Sequence, residues 1–167
     1  GGPGTNSGRG AIYILYRRQS EIENDYLLER LQLSPSDPNR HNGLMIIGEQ
    51  GENLGTSIAA AGPATKGRGT TSQPAGMTAF TPDDYNNDSF SDAIIGSPNA
   101  STANGFESGK VFILLGGKNL LNGQGGVTIP ELMASGDGVL LVGAGQGDRA
   151  GETVASAGDV NNDGIQD

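Results

Sequence analysis

The chain has no cysteine, no tryptophan and a single histidine in 167 residues. Without Cys there are no disulfides, no redox thiols and no thiolate zinc site. With one His, any metal site must be built from oxygen donors, which selects hard cations such as Ca²⁺ or Mg²⁺. Basic residues are also scarce: 10 Lys and Arg stand against 19 Asp and Glu, for a net charge of −9. That balance argues against a nucleic-acid partner, because phosphate contacts need a basic patch. No apolar run approaches the roughly 20 residues that cross a bilayer as a helix, so no membrane span is expected. Apolar residues make up 34% of the chain, too few for one deep core. Catalytic signals are missing as well. Ser57 and Ser97 lie near glycines but form no G-x-S-x-G elbow, and His41 sits in a loop with Pro38 and Asn42. No enzymatic activity is expected of these residues.

Glycine is abundant, at 29 residues. There is no G-X-Y period, so collagen is excluded. The glycines punctuate compact apolar runs at Ala11–Tyr16, Leu44–Ile47, Val111–Leu115 and Val139–Val142. A flexible linker has no such runs, so the composition describes an ordered chain that turns often.

The runs belong to an internal repeat. Gly10–Tyr16 matches Gly109–Leu115 with a shift of 109 − 10 = 99, and Leu44–Glu49 matches Val139–Ala144 with a shift of 139 − 44 = 95. Leu54–Gly62 matches Ala150–Gly158 with a shift of 158 − 62 = 96. The repeated order predicts four short strands per unit, and repeating four-stranded units characterise propeller blades. Ser20–Leu33 is the main helix candidate, with Ser20 and Glu23 placed for a capping box. Its counterpart, Asn119–Met133, holds Gly123, Gly125, Gly126 and Pro130 and is not expected to be helical throughout. Pro63–Thr81 has no counterpart in the second copy and reads as a surface insertion. Gly143–Gly147 is glycine-rich but leads into a strand and lacks the phosphate-loop Lys, so a turn is expected there.

Two acidic loops carry the chemistry. Asp84–Asp92 and Asp159–Asp167 both read D-x-N-x-D-x-Φ-x-D, where Φ is Phe90 or Ile165. Side-chain oxygens fall at loop positions 1, 3, 5 and 9, and position 7 offers its backbone carbonyl. A hard cation takes six to eight oxygens, and such a loop turns its alternate positions inward to supply them. The sharp turn at position 6 favours glycine, which is present at Gly164 but replaced by Ser89 in the first loop. Position 12 after Asp84 is Ile95 rather than Glu, so the loop is not an EF-hand. A metal-free turn is the competing reading of each loop, since Asp and Asn are ordinary turn residues.

With these motifs the chain resembles the FG-GAP repeats of integrin α-subunit β-propellers and their bacterial relatives. Leu54-Gly55 and Ala150-Gly151 stand at the "FG" position, Gly96-Ser97-Pro98 at the "GAP" position, and the acidic loops follow the "FG" segments. The resemblance implies an all-β fold, a β-propeller segment of four-stranded antiparallel blades with about one complete and two partial blades. Residues 1–52 would be the last part of a first blade plus a linker. Residues 53–143 would be a complete blade with the 63–81 insertion, and 144–167 the first strand and calcium loop of a third. The absence of an initiator Met before Gly1-Gly2-Pro3 and the blade count read as a truncated or mature piece of a longer propeller. The resemblance also implies two Ca²⁺ sites. One comprises Asp84, Asn86, Asp88, the Phe90 carbonyl and Asp92. The other comprises Asp159, Asn161, Asp163, the Ile165 carbonyl and Asp167. It implies adhesion or protein–protein recognition at an extracellular, cell-surface or periplasmic location, with a protein or glycan ligand and further blades of the same propeller as partners. The alternative is the non-catalytic propeller portion of a secreted enzyme.

Overall fold

The computed structural model describes residues 8–15, 43–60, 84–86, 90–117, 126–163 and 167. The expected helix at Ser20–Leu33, the Pro63–Thr81 insertion and the Gly1-Gly2-Pro3 start lie outside them. The described fold is mostly β, with one short helix. The strands are β1 (Ala11–Leu15), β2 (Gly43–Ile47), β3 (Ser57–Ala60), β4 (Ala93–Ser97), β5 (Lys110–Leu114), β6 (Gly126–Thr128) and β7 (Gly138–Val142), and α1 spans Ile129–Ser135. They form a four-stranded antiparallel sheet in the order β3-β4-β5-β7 and a three-stranded mixed sheet in the order β1-β2-β6. The strands of the four-stranded sheet fall between residues 57 and 142. No closed propeller is formed by these two sheets.

The repeat holds at the level of strand register. Ala11 pairs with Ile47 in the first sheet and Lys110 with Val142 in the second. Those pairs are related by 110 − 11 = 99 and 142 − 47 = 95, the shifts read from the sequence. The turn that follows is repeated bond for bond. Gly48 N–H donates to Gly10 O at 3.2 Å, and Gly143 N–H to Gly109 O at 3.0 Å. Leu54 N–H donates to Arg9 O at 3.1 Å, and Ala150 N–H to Ser108 O at 3.0 Å. Asn53 and Arg149 occupy matching left-handed conformations, with φ of 50° and 52°. Non-glycine residues are uncommon there, so their recurrence at one position marks a conformation imposed by the surrounding turn.

The core lies between the two sheets. Ile12, Leu44, Ile46 and Leu54 pack in one cluster with Ile95, Phe112 and Leu114, and Ile129 and Leu132 of α1 complete it. Period-2 alternation puts Leu44 and Ile46 on one face of β2, and Phe112 and Leu114 on one face of β5. Burying an aromatic such as Phe112 in this position is worth several kcal/mol, since its truncation to Ala typically costs about 3–5 kcal/mol.

Three features depart from the expectation of antiparallel strands alone. β6 pairs in parallel with β2, matching Met45 to Gly126, Ile46 to Val127 and Ile47 to Thr128. It leaves the second sheet's connection to join the first, tying the sheets together. The helix α1 follows at once. Pro130 reads as a breaker but sits in the first turn, where its missing N–H has no intrahelical partner to lose. The Glu131 carboxylate accepts hydrogen bonds from the Thr128 N–H at 2.7 Å and the Thr128 hydroxyl at 2.8 Å. Those bonds hold the Glu131 pKa below its ordinary value. Gly136 ends the helix in the left-handed conformation, φ 82°. A third difference concerns residues 153–156, the counterpart of β3, which carry no strand. β3 pairs with β4, and no described residue pairs with 153–156 in that way.

The turn requires glycine for space at Gly48 and Gly143. A Cβ at Gly48 would fall on the Arg9 carbonyl oxygen, and one at Gly143 on the Ser108 carbonyl oxygen. Gly143→Ala is therefore expected to cost about 1–3 kcal/mol through forced separation of the backbone segments. Gly145, two residues on, has only ordinary contacts at 3.8 and 3.9 Å with the Asp148 carboxylate. Gly145→Ala should stay within about 0.5 kcal/mol of wild type. Denaturant midpoints at constant m-value measure the difference, and equal midpoints for the two variants would contradict the steric account.

Candidate functional site

The first acidic loop runs into a strand. It ends at Asp92, next to the start of β4, so its closing residue is fixed by the sheet. Asp92 is 4% exposed and Asp84 7% exposed. Asp92 Oδ2 accepts the Tyr85 N–H at 2.7 Å, and Oδ1 accepts the Gly116 N–H at 2.6 Å. One carboxylate thus joins the loop's beginning to its end and to the segment after β5. Charge-assisted bonds of this kind are the stronger class.

The second loop repeats the closure. Val160 N–H donates to Asp167 Oδ2 at 2.9 Å. The matching pairs are related by 160 − 85 = 75 and 167 − 92 = 75. Here more of the turn is described. Asp159 Oδ1 and Asn161 Oδ1 both accept the Asp163 N–H, at 3.1 and 2.9 Å, and so converge on one point. Asn161 Nδ2 donates to Asp163 Oδ2 at 3.0 Å. Asn162 takes the left-handed conformation, φ 61°. Backbone closure at Asp167 is reinforced by Ala157 N–H to Asp167 O at 3.3 Å and Asp167 N–H to Gly158 O at 3.0 Å.

Of the expected ligands, Asp84, Asn86, Phe90 and Asp92 of the first loop are described, as are Asp159, Asn161, Asp163 and Asp167 of the second. Asp88 and Ile165 lie outside the described residues, together with Ser89 and Gly164. Among the described residues, no three His, Cys, Asp or Glu side chains are grouped closely enough to hold an ion as they stand. The donor chemistry nevertheless fits a hard cation. Every expected side-chain ligand described offers an oxygen, and in the second loop those of Asp159 and Asn161 converge on the Asp163 N–H.

A second feature was not legible in the sequence. A cleft of about 400 Å³ opens where the 49–52 turn meets the loop between β4 and β5. Its wall holds Lys110, whose Nζ lies 2.7 Å from Glu52 Oε1 and 3.3 Å from Glu49 Oε2. Glu52 is almost wholly buried, at 2% exposure, and its Oε2 also accepts the Glu49 N–H at 2.7 Å. Phe106 stands at the rim, 64% exposed. The residues come from segments some 58 positions apart, which also meet where the Ser97 hydroxyl donates to the Glu52 carbonyl at 2.7 Å. Asp148 repeats the inner half of this arrangement, accepting the Gly145 N–H at 2.7 Å. Gly143–Gly147 is thus part of a carboxylate-closed turn, as its sequence context predicts.

No family model matches the chain, and neither does any curated protein or solved structure. Among the described residues no helix is long and apolar enough to cross a membrane.

The first loop's closure is expected to matter more for stability than the second's. In the presence of chelator, Asp92→Ala strands two backbone donors in a nearly buried site and should cost about 2–4 kcal/mol. Asp167→Ala removes a side-chain bond at an exposed position and should cost less than about 1 kcal/mol. Equal losses on chemical denaturation would contradict the assignment.

The cleft's ion pair carries a pH signature. Burial alone would lower the Lys110 pKa, but hydrogen bonds and charge from Glu52, with Glu49 behind it, outweigh burial and raise it above the ordinary 10.5. A raised lysine pKa stabilises the fold fully below 10.5, and that contribution disappears as pH climbs through the folded-state value. The stability gap between wild type and Glu52→Gln should therefore be flat through neutral pH and close in strongly alkaline solution. A gap independent of pH up to alkaline unfolding would remove Lys110 from the account.

Proposed function

We propose that this chain is part of a calcium-stabilised β-propeller of the FG-GAP type, working outside the cytoplasm as a recognition or adhesion module rather than as a catalyst. The observation that carries the reading is the doubled acidic loop. Two D-x-N-x-D-x-Φ-x-D segments each follow a matching "FG"-type segment, and each is closed by the same bond from the second residue's N–H to the ninth residue's carboxylate. The recurrence of strand register and turn hydrogen bonds in the two sheets supports stacked, equivalent blades. In this reading Asp84, Asn86, Asp88, Asp92 and the Phe90 carbonyl would hold one Ca²⁺. Asp159, Asn161, Asp163, Asp167 and the Ile165 carbonyl would hold the other.

The ion would neutralise clustered carboxylates and hold each loop in one conformation. The loops between strands would then be displayed on a stiff support. A protein or glycan is the expected ligand, bound by such loops and by the insertion at 63–81.

Binding to the folded state alone stabilises it by mass action, about 2.7 kcal/mol per site at free Ca²⁺ near 100 times Kd. Thermal unfolding in millimolar Ca²⁺ should therefore occur at a higher midpoint than in excess chelator. A double substitution, Asp159→Ala with Asp163→Ala, should remove one site's share of the gain and leave the other. An unfolding midpoint indifferent to Ca²⁺ and chelator would overturn the calcium reading.

A further inference from the structure

β2 and β7 occupy the same place in the repeat, yet their surroundings differ. β2 is flanked on one side by β1 and on the other by β6. β7 is flanked by β5 alone and forms the edge of its sheet among the described residues. The shift of 95 relates Met45 to Leu140, Ile46 to Leu141 and Ile47 to Val142. Ile46 is 0% exposed, whereas Leu141 is 51% and Val142 44% exposed. What covers Ile46 is known: β6 pairs along the edge of β2, and Ile129 and Leu132 of the helix that follows join the same buried cluster. β6 thus acts as a strap along β2, while the helix that follows carries Ile129 and Leu132 into the shared core and lies beside β6 and β7.

We infer that the edge of β7 is an acceptor for a parallel strand from a further repeat unit. That unit would supply a strap of the same design, a short strand of small and β-branched residues leading into a capped helix with two apolar residues. The register follows from β2 and β6. The incoming equivalents of Gly126, Val127 and Thr128 would pair with Leu140, Leu141 and Val142. The first of them should be small, because the Met45 and Ile47 side chains already close over Gly126. Backbone hydrogen bonds along an exposed edge supply affinity, and burial of Leu141 and Val142 supplies the apolar part. The inference rests on the stacked-blade reading but not on calcium, so the two fail separately.

The test uses the whole chain and, as probe, a synthetic peptide carrying residues 124–137. Hydrogen exchange is followed by mass spectrometry with and without the peptide. At peptide near ten times its Kd, exchange in Gly138–Val142 should slow about tenfold. Leu141→Lys changes an exposed side chain and should leave the fold intact while abolishing the slowing. A peptide with Pro in place of its Val127 should not bind, because it cannot complete the ladder. The inference is overturned if β7 exchange is unchanged by the peptide, or if protection appears only in Gly43–Ile47. It is equally overturned if Leu141→Lys and wild type respond alike.

Discussion

The arrangement depends on a backbone crossing with no room for side chains. At the ends of β2 and β7 the chain passes beside the residue that precedes β1 or β5, then turns towards the next segment. In the first unit Gly10, Gly48 and Leu54 meet there, and in the second Gly109, Gly143 and Ala150. Each crossing is held by backbone hydrogen bonds, and each is entered through a left-handed residue at 53 or 149. Such closeness fixes where the next sheet starts and at what distance it stacks. The inter-sheet core then follows, because Leu54 enters it directly from the crossing. The carboxylates of Glu52 and Asp148 close the turn from the inside by accepting the N–H three residues earlier.

This explains which parts of the fold were legible in the sequence. The strands were visible because glycine flanks short β-branched runs, and their register was visible because both copies keep the same spacing. The crossing glycines were visible as punctuation, but their steric role was not, since the neighbouring segments lie dozens of residues away. α1 was hidden by Pro130. As a breaker it argues against a helix through Asn119–Met133, yet in a first turn it starts one. β6 was hidden by its length, because three residues beside a glycine cluster give no periodicity to read. The Lys110–Glu52 pair was hidden for the same reason as the crossing: it exists only once segments far apart in the chain have met.

The acidic loops were legible as a pattern, and the pattern mixes two chemical duties. In the second loop the oxygens of positions 1 and 3 gather on the N–H of position 5, where a cation would be the alternative partner. Position 9 behaves differently. In both loops its carboxylate accepts the N–H of position 2, so it closes the loop without any ion. The motif shows only the ligand role of position 9, because a carboxylate that also accepts a backbone donor looks no different in a sequence.

That division of labour decides how far an ion's influence would reach. Asp92 Oδ1 holds Gly116, which follows β5, while Oδ2 holds Tyr85 at the head of the loop. Ordering the head of the loop would therefore also order the exit of β5, the strand that carries Phe112 and Leu114 into the core. The second loop has a looser attachment. Its closing residue is exposed, and among the described residues its backbone bonds run to Gly158 and Ala157 within the same segment. An ion there would order the loop itself and transmit little to the described sheets. Two loops of one sequence pattern thus differ in mechanical consequence, and the difference lies in the hydrogen bond that the second oxygen of Asp92 accepts from the segment after β5.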